Sequence, residues 1–299
     1  MQIEKQIDFM AARKIAGIAS LVLVIVSIVS LAINSLEFGL DFTSGTSVRL
    51  SYSDAVVVDD VNQTLRSNGY EDAVVVTFGS DREIRILLPV DEDVAVGEQA
   101  AQAVVVGESI ADLLQSNSGS QITLLGSDYV SSKVGGELVE SGGIGMLVAL
   151  AIIMVYIAMR FQFKFSVGAV VALAHDIIIT LGIFSLFRIE FNLNTLAALL
   201  AIIGYSLNDT IVVADRIREN FRRMRKGSPL EMINTSLNQT LSRTMITSFT
   251  TLLVLFSILF IGGESTQGFA VALIIGVVIG TYSSIFVASN VILYMNVTR

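Results

Sequence analysis

Long apolar segments alternate with polar ones along this 299-residue chain. Six apolar segments stand out, at residues 15–36, 141–159, 165–187, 191–208, 244–263 and 265–298. Five of them contain no Asp, Glu, Lys or Arg, and the segment at 165–187 contains only Asp176. Each is long enough to cross the hydrocarbon core of a bilayer, which takes about 17 to 25 helical residues. The pattern predicts a polytopic α-helical membrane protein with six transmembrane helices.

The first apolar segment follows Lys5, Arg13 and Lys14, an order that also suits a signal peptide. Ser30-Leu31-Ala32 could serve as a cleavage site. The segment is longer than the roughly 7 to 15 apolar residues of a signal peptide. We expect it to be retained as the first transmembrane helix.

A polar segment, residues 37–140, separates the first two predicted helices and contains 18 acidic and 5 basic residues. Its periodicity predicts strands at 46–52, 73–78, 84–88 and 121–125 and helices at 56–67 and 94–114. Gly79-Ser80-Asp81 is typical of a turn between the second and third strands. The order β-α-β-β-α-β is that of a ferredoxin-like α+β domain. The segment contains no His, no Cys and no nucleotide-binding loop, so we expect a binding or mechanical role.

Basic residues mark the short connections between the predicted helices. Arg160 and Lys164 flank one connection, and six arginines and lysines lie between residues 216 and 226. By the positive-inside rule, these connections and both termini are cytoplasmic, and the acidic segment lies on the opposite side of the membrane. The predicted organisation is an N-terminus with the first helix at 1–36, an extracytoplasmic domain at 37–140, and helices two to six at 141–299. A basic cytoplasmic loop is expected at 215–242.

Composition agrees with a membrane protein, because 53% of the residues are hydrophobic, only 15% are charged and the mean hydropathy is +0.71. The absence of cysteine excludes disulfides, iron–sulfur clusters and thiol chemistry. A single histidine argues against a zinc site built from His and Cys. We therefore expect no metal, no cofactor, no catalytic residues and no nucleic-acid partner. The expected surrounding is the lipid bilayer.

Asp209 is an ionisable residue among side chains apolar enough to lie inside the bilayer. A charged Asp at the centre of a membrane helix costs roughly 3 kcal/mol, so it should be neutral, paired or next to water. Arg243 opens the next helix from the same side of the membrane, and we predict that Asp209 and Arg243 form an ion-coupling pair. Ser206, Asn208 and Thr210 offer hydrogen bonds around the carboxylate. The alternative is that Arg243 extends to the lipid headgroups and Asp209 is a static packing residue.

Two further features lie within predicted helices. His175 and Asp176 lie near the middle of the third helix, where they could relay protons or form an internal hydrogen-bonded pair. The last helix has a small residue at every fourth position, which predicts close packing against another helix. The six small residues are Gly268, Ala272, Gly276, Gly280, Ser284 and Ala288.

Several motifs resemble a known family. GYSLNDT at 204–210, followed by DRIREN at 215–220, is similar to the signature of SecF, a membrane subunit of the bacterial protein-export machinery. Ala174-His175-Asp176, QTLSRT at 239–244 and FGLDFT at 38–43 also match the family pattern in the expected order. The chain departs from that pattern at Ser44, where the family has glycine, and at Ser127-Asp128, where Gly-Pro is common.

The resemblance implies a six-helix bundle of the resistance-nodulation-division type with one ferredoxin-like periplasmic domain, in the bacterial inner membrane. It implies SecD and the SecYEG channel as partners and exported preproteins as cargo. The energy source would be the proton gradient or a sodium gradient. Asp209 would be the protonation site and Arg243 its charge partner. A hinge motif would let the periplasmic domain move, and it consists of Gly39, Asp41, Phe42 and Gly45.

Three other functions remain open on the sequence. The first is an ion-coupled small-molecule exporter of the same superfamily, although such exporters usually have twelve spans and two large periplasmic domains. The second is a non-conducting membrane scaffold whose buried charges only fix the helix register. The third is an intramembrane hydrolase that uses Asp176 and Asp209 as a dyad, although we expect the two residues to lie at different depths.

Overall fold

The computed structural model describes residues 7–39, 42, 45–78, 80–88, 99–130, 132–160, 163–224, 227–262 and 264–295. The chain divides into two compact units, of which the first is Met1–Glu37 with Ile144–Arg299 and the second is Phe38–Gly143. In chain order the elements are α1 (Arg13–Asn34), β1 (Glu37–Phe38), β2 (Gly45–Tyr52), α2 (Val58–Ser67), β3 (Val74–Phe78), β4 (Ser80–Leu88), α3 (Gln99–Asn117), β5 (Ile122–Val130), α4 (Ser132–Arg160), α5 (Phe163–Leu186), β6 (Glu190–Phe191), α6 (Leu193–Arg223), α7 (Pro229–Ile261), α8 (Glu264–Ser283), a π-helical turn (Ser284–Ala288) and α9 (Ser289–Tyr294).

Within the described residues, six helical spans are long and apolar enough to cross a membrane, as the sequence predicted. They are formed by α1, α4, α5, α6, α7 and the continuous segment from α8 to α9. The chain is therefore a polytopic membrane protein. Helix α5 is the most enclosed of the six, whereas α4 exposes most of its apolar side chains from Glu140 to Met159, and Ile157 is its buried exception. Those side chains are available to lipid or to a partner chain.

The structure differs from the sequence prediction at the basic connection. Residues 215–242 were predicted to be a loop, but α6 continues to Arg223 and α7 begins at Pro229. Ser228 caps α7, because its hydroxyl accepts a hydrogen bond from the Glu231 N–H while the Glu231 carboxylate accepts one from the Ser228 N–H. The basic residues therefore do not mark the ends of the helices. This pair of residues, Ser228 and Glu231, is a capping-box pattern that indicates the start of α7 from the sequence alone.

Small side chains let α6 and α8 pack closely. A Cβ atom at Gly268 would lie 3.1 Å from Thr195 Oγ1, and one at Gly280 would lie 3.2 Å from Ser206 Cβ. At Gly276 a Cβ atom would collide with Ile202. The contacting positions increase together along both helices, so α6 and α8 run parallel. Ala272, Ser284 and Ala288 from the same row are also buried.

The second unit is an α+β domain with its own apolar core. Its four strands lie in the order β3-β4-β2-β5, and every neighbouring pair is antiparallel. The core combines sheet residues such as Val48 and Ile86 with Leu65 of α2 and Ile110 of α3. Strand β5 extends to Val130, beyond the predicted end at residue 125.

Parts of several sequence predictions fall outside the described residues, including residues 94–98 of the helix predicted at 94–114. Gly79 of the predicted turn is another, and Ser80 and Asp81 belong to β4. Of the hinge motif, Asp41 lies outside the described residues, whereas Phe42 is buried with its ring 5.8 Å from that of Phe38. Gly39 lies between these two phenylalanines in the sequence, and Gly45 begins β2.

Candidate functional site

Asp209 lies on α6, where α7 and the π-helical turn approach it. Its Oδ1 accepts a hydrogen bond of 2.6 Å from the hydroxyl of Thr244 on α7. Its Oδ2 is buried and has no hydrogen-bond partner among the described residues. The next residue, Thr210, shares a hydrogen bond of 2.9 Å with Ser284. One carboxylate oxygen is thus held by a hydroxyl, while the other is buried outside hydrogen-bond geometry, with the Ser284 hydroxyl nearby.

Arg243 precedes Thr244 on α7, and none of the described hydrogen bonds joins its side chain to the carboxylate. Arg243 is exposed and lines a cavity of about 490 Å³ together with Tyr156, Asp215 and Glu219. No ion pair joins Arg243 to Asp209 among the described residues, although the guanidinium lies within electrostatic range of the carboxylate. The cavity opens at the end of α6 that carries the basic residues. A change in the conformation of the Arg243 side chain could therefore shorten or lengthen the distance between its guanidinium and the Asp209 carboxylate.

Asp176 on α5 is the centre of a second polar cluster, and its side chain is 0% exposed. Its Oδ2 accepts hydrogen bonds from Ser206 on α6 at 2.6 Å and from Ser283 on α8 at 2.8 Å. His175 Nδ1 lies 2.9 Å from Asp176 Oδ1, and His175 Nε2 is buried without a partner among the described residues. The imidazole stacks on Tyr282, with ring centroids 6.3 Å apart.

The two clusters are neighbours along α6. Ser206, which binds Asp176, precedes Asp209 by three residues, a rise of about 4.5 Å. The predicted residues Ser206 and Thr210 both lie in these clusters, whereas Asn208 is exposed on a different face of α6. The two carboxyl groups have separate hydroxyl partners, and none of the described contacts joins them.

Three side chains of these clusters were not singled out from the sequence, namely Thr244, Ser283 and Tyr282. Thr244 and Ser283 are hydroxyl residues in apolar helices, which usually bond to their own backbone. Nothing in their spacing shows that they face a carboxylate on another helix. Tyr282 hydrogen-bonds the Ala16 carbonyl of α1 at 2.7 Å, a contact across 266 positions of the chain.

Carboxyl groups buried in a membrane span are able to exchange protons or bind cations. Within the described ranges, no group of three or more His, Asp or Glu side chains could hold a metal ion. A carboxylate with one free oxygen can take up a proton, and hydroxyls can reorient to stabilise either state. The arrangement fits a membrane protein whose intramembrane acids change charge.

Comparison with known proteins places the chain among protein-export membrane proteins. The sequence model of a family described as "Protein export membrane protein SecD/SecF, C-terminal" matches residues 109–298, and that of the "SecD/SecF GG Motif" matches residues 29–56. The protein translocase subunit SecF of Vibrio alginolyticus is 44% identical over 299 residues, which are 100% of this chain and 93% of the relative. SecF of Pseudomonas aeruginosa is also 44% identical, over 98% of this chain and 92% of the relative. The chain belongs to the SecF family of protein translocase subunits.

Solved structures agree with this assignment. The crystal structure of SecDF from Thermus thermophilus, a translocon-associated membrane protein, matches with a TM-score of 0.85 and 34% identity. A SecDF structure in a super-membrane-facing form matches with a TM-score of 0.71 at the same identity. Each match covers 99% of this chain but only 39% of the SecDF chain.

Proposed function

We propose that this SecF-family chain acts with SecD in the bacterial inner membrane and uses an ion gradient to promote preprotein translocation. Asp209 carries the coupling ion, and Arg243 is its charge partner. The observation that carries the proposal is the half-satisfied carboxyl of Asp209, with one oxygen bound to Thr244 and the other buried without a partner. The ion is H⁺, with Na⁺ as the alternative, and no cofactor or catalytic residue takes part.

The energy available to such a site is sufficient for a conformational change. One elementary charge that crosses a potential of 100 mV yields about 2.3 kcal/mol. Protonation of Asp209 would remove its electrostatic attraction to Arg243, whose side chain lines the neighbouring cavity and would then be free to change its position there. A ligand shifts a two-state equilibrium by its differential affinity for the two states, so a few kcal/mol at Asp209 can bias the motion of a domain.

The proposed partner SecD would cover part of the exposed membrane surface. Helix α4 and the outer face of α7 expose apolar side chains, including Ile152, Phe249 and Phe260. The SecDF chains that resemble this protein are more than twice its length, which supports a second half supplied by SecD. The SecYEG channel and exported preproteins would complete the assembly.

The polar domain is proposed to lie in the periplasm, with both termini in the cytoplasm. Its β-α-β-β-α-β order and antiparallel strand order β3-β4-β2-β5 support a ferredoxin-like domain between the first and second spans. The basic residues between α6 and α7 support a cytoplasmic location for that connection. The domain would move as the charge on Asp209 changes.

The test is gradient-stimulated export from membrane vesicles that contain SecD, SecYEG and either the wild-type chain or Asp209→Asn. We expect the variant to insert and to bind SecD, but to lose the gradient-dependent part of export. The matched control is Asp72→Asn, which neutralises an exposed carboxylate of the polar domain that does not line the cavity next to Arg243. It should retain the stimulation.

Export at the wild-type rate by Asp209→Asn would reject ion coupling through this residue and favour a scaffold. Proton and sodium gradients imposed separately on the same vesicles would identify the ion. Stimulation by neither gradient in the wild type would also contradict the proposal.

A further inference from the structure

Asp176 is more enclosed than Asp209, yet the proposed ion step does not use it. Its Oδ2 receives hydrogen bonds from Ser206 and Ser283, which lie 30 and 107 positions away along the chain. Burial of a carboxyl group costs free energy unless its oxygens accept hydrogen bonds. Loss of either hydroxyl contact would therefore destabilise the folded protein. Asp176 thereby ties α5 to both α6 and α8.

The hydrogen bonds of Asp176 lie next to the hydroxyl groups near Asp209. Ser283 binds Asp176, and the adjacent Ser284 binds Thr210, the neighbour of Asp209. The π-helical turn begins at Ser284, so two consecutive serines reach different partners where α-helical geometry changes. Such turns often occur at functional sites. On α6, Ser206 donates to the same Asp176 oxygen as Ser283, and Thr210, about one turn further along, hydrogen-bonds Ser284.

Close packing leaves little freedom at this junction. A Cβ atom at Gly280 would lie 3.5 Å from Asp176 Oδ2 and 3.2 Å from Ser206 Cβ. Ser283 and Ser206 are 0% and 1% exposed, respectively. A displacement of α8 relative to α6 would therefore strain the contacts of Asp176 together with the contact between Thr210 and Ser284.

We infer that Asp176 is a positioning residue for ion coupling: through Ser206 and Ser283 it sets the register of α6 against α8 and so the environment of Asp209. This inference rests on the proposed function of Asp209. The titratable groups placed around the two aspartates are His175 on α5, Tyr282 on α8 and Arg243 on α7. Tyr205 on α6 donates to Ser248 instead and faces away from Asp176.

The test measures the protonation of Asp209 directly. A hydrophobic carbodiimide reacts with protonated carboxyl groups, and peptide mass spectrometry reports its attachment to Asp209 as a function of pH. The measurement uses the full chain with SecD in lipid nanodiscs. We expect Ser206→Ala and Ser283→Ala each to move the midpoint of Asp209 labelling by about half a pH unit or more. Asp176→Asn should move it at least as far, if that variant folds.

Matched controls separate positioning from general stability. Ser248→Ala and Thr281→Val remove a hydroxyl pair, 2.7 Å apart, that joins α7 to α8 without contacting Asp176. They should lower the thermal stability as the network variants do, but leave the labelling midpoint of Asp209 unchanged. The inference is wrong if Ser283→Ala and Ser206→Ala also leave that midpoint unchanged, or if the controls move it equally.

The two proposals can fail separately. Normal gradient-stimulated export by Asp209→Asn overturns the proposed function whatever the labelling shows. Loss of stimulation in Asp209→Asn, together with an unchanged midpoint in Ser283→Ala and Ser206→Ala, overturns only the positioning role of Asp176.

Discussion

Gly276 provides the sharpest test of the packing between α6 and α8. An added Cβ atom would lie within 2.9 Å of Ile202 Cγ2 and still closer to two other atoms of the same side chain. Real Cβ atoms do not approach other carbons so closely, so Gly276→Ala has to push the helices apart or force Ile202 out of its rotamer. The structure therefore predicts that even one methyl group is not tolerated here without cost.

The magnitude follows from comparison with a second helical glycine. Gly204 on α6 has no atom within 4 Å of its ideal Cβ position. Both Gly→Ala changes gain about 1 kcal/mol of helix propensity, so the difference between them isolates the collision. Overpacking of a close-packed interior typically costs about 1 to 3 kcal/mol. We expect Gly276→Ala to be less stable than Gly204→Ala by that amount.

The assay is reversible unfolding of the isolated chain in mixed micelles by a denaturing detergent, followed by circular dichroism. Combining Gly276→Ala with Ile202→Ala should recover part of the loss, because the smaller side chain removes the colliding atoms. Equal stabilities of Gly276→Ala and Gly204→Ala, or strict additivity in the double variant, would refute the described contact.

Two further predictions concern the polar domain and the start of α7. Burial raises the pKa of Tyr52 from 10.0 to about 12, so the domain should lose stability as the pH rises from 10 to 12, where only the unfolded state is ionised. The difference in tyrosinate absorbance between the wild type and Tyr52→Phe measures this midpoint, and a value near 10 would contradict burial of the hydroxyl. Ser228→Ala should cost about 1 kcal/mol of unfolding free energy, because it removes the cap of α7. Ser257→Ala, an exposed change on the same helix, serves as its control and should cost less.

Sequence reasoning located the main elements because their signals are local. A transmembrane helix satisfies its own backbone hydrogen bonds, so an apolar run of sufficient length is enough to predict it. The strands and helices of the polar domain followed from their alternation and periodicity, within a few residues of the observed bounds. The end of α6 and the start of α7 were predicted wrongly, because the charged residues were expected to lie outside the helices. The Ser228-Pro229 sequence nevertheless indicates where α7 begins.

The site was only partly predictable. Asp209, Arg243 and Asp176 stand out in any reading of the sequence, because charges in apolar segments are rare and costly. Their partners do not stand out, since Thr244 and Ser283 resemble other hydroxyl residues in apolar helices. The expected pairing of Asp209 with Arg243 remains a prediction, and the described contacts connect Asp209 to Thr244.

The sequence by itself therefore determined the number of spans, the existence of the polar domain and the acids that require an explanation. Only the tertiary structure decided which hydroxyl meets which carboxylate. That choice depends on the rotation and register of α5, α6 and α8, and on a π-helical turn that changes the rotation at Ser284. The physical reason is that the bonds to Asp176 join residues up to 107 positions apart, so no local pattern encodes them.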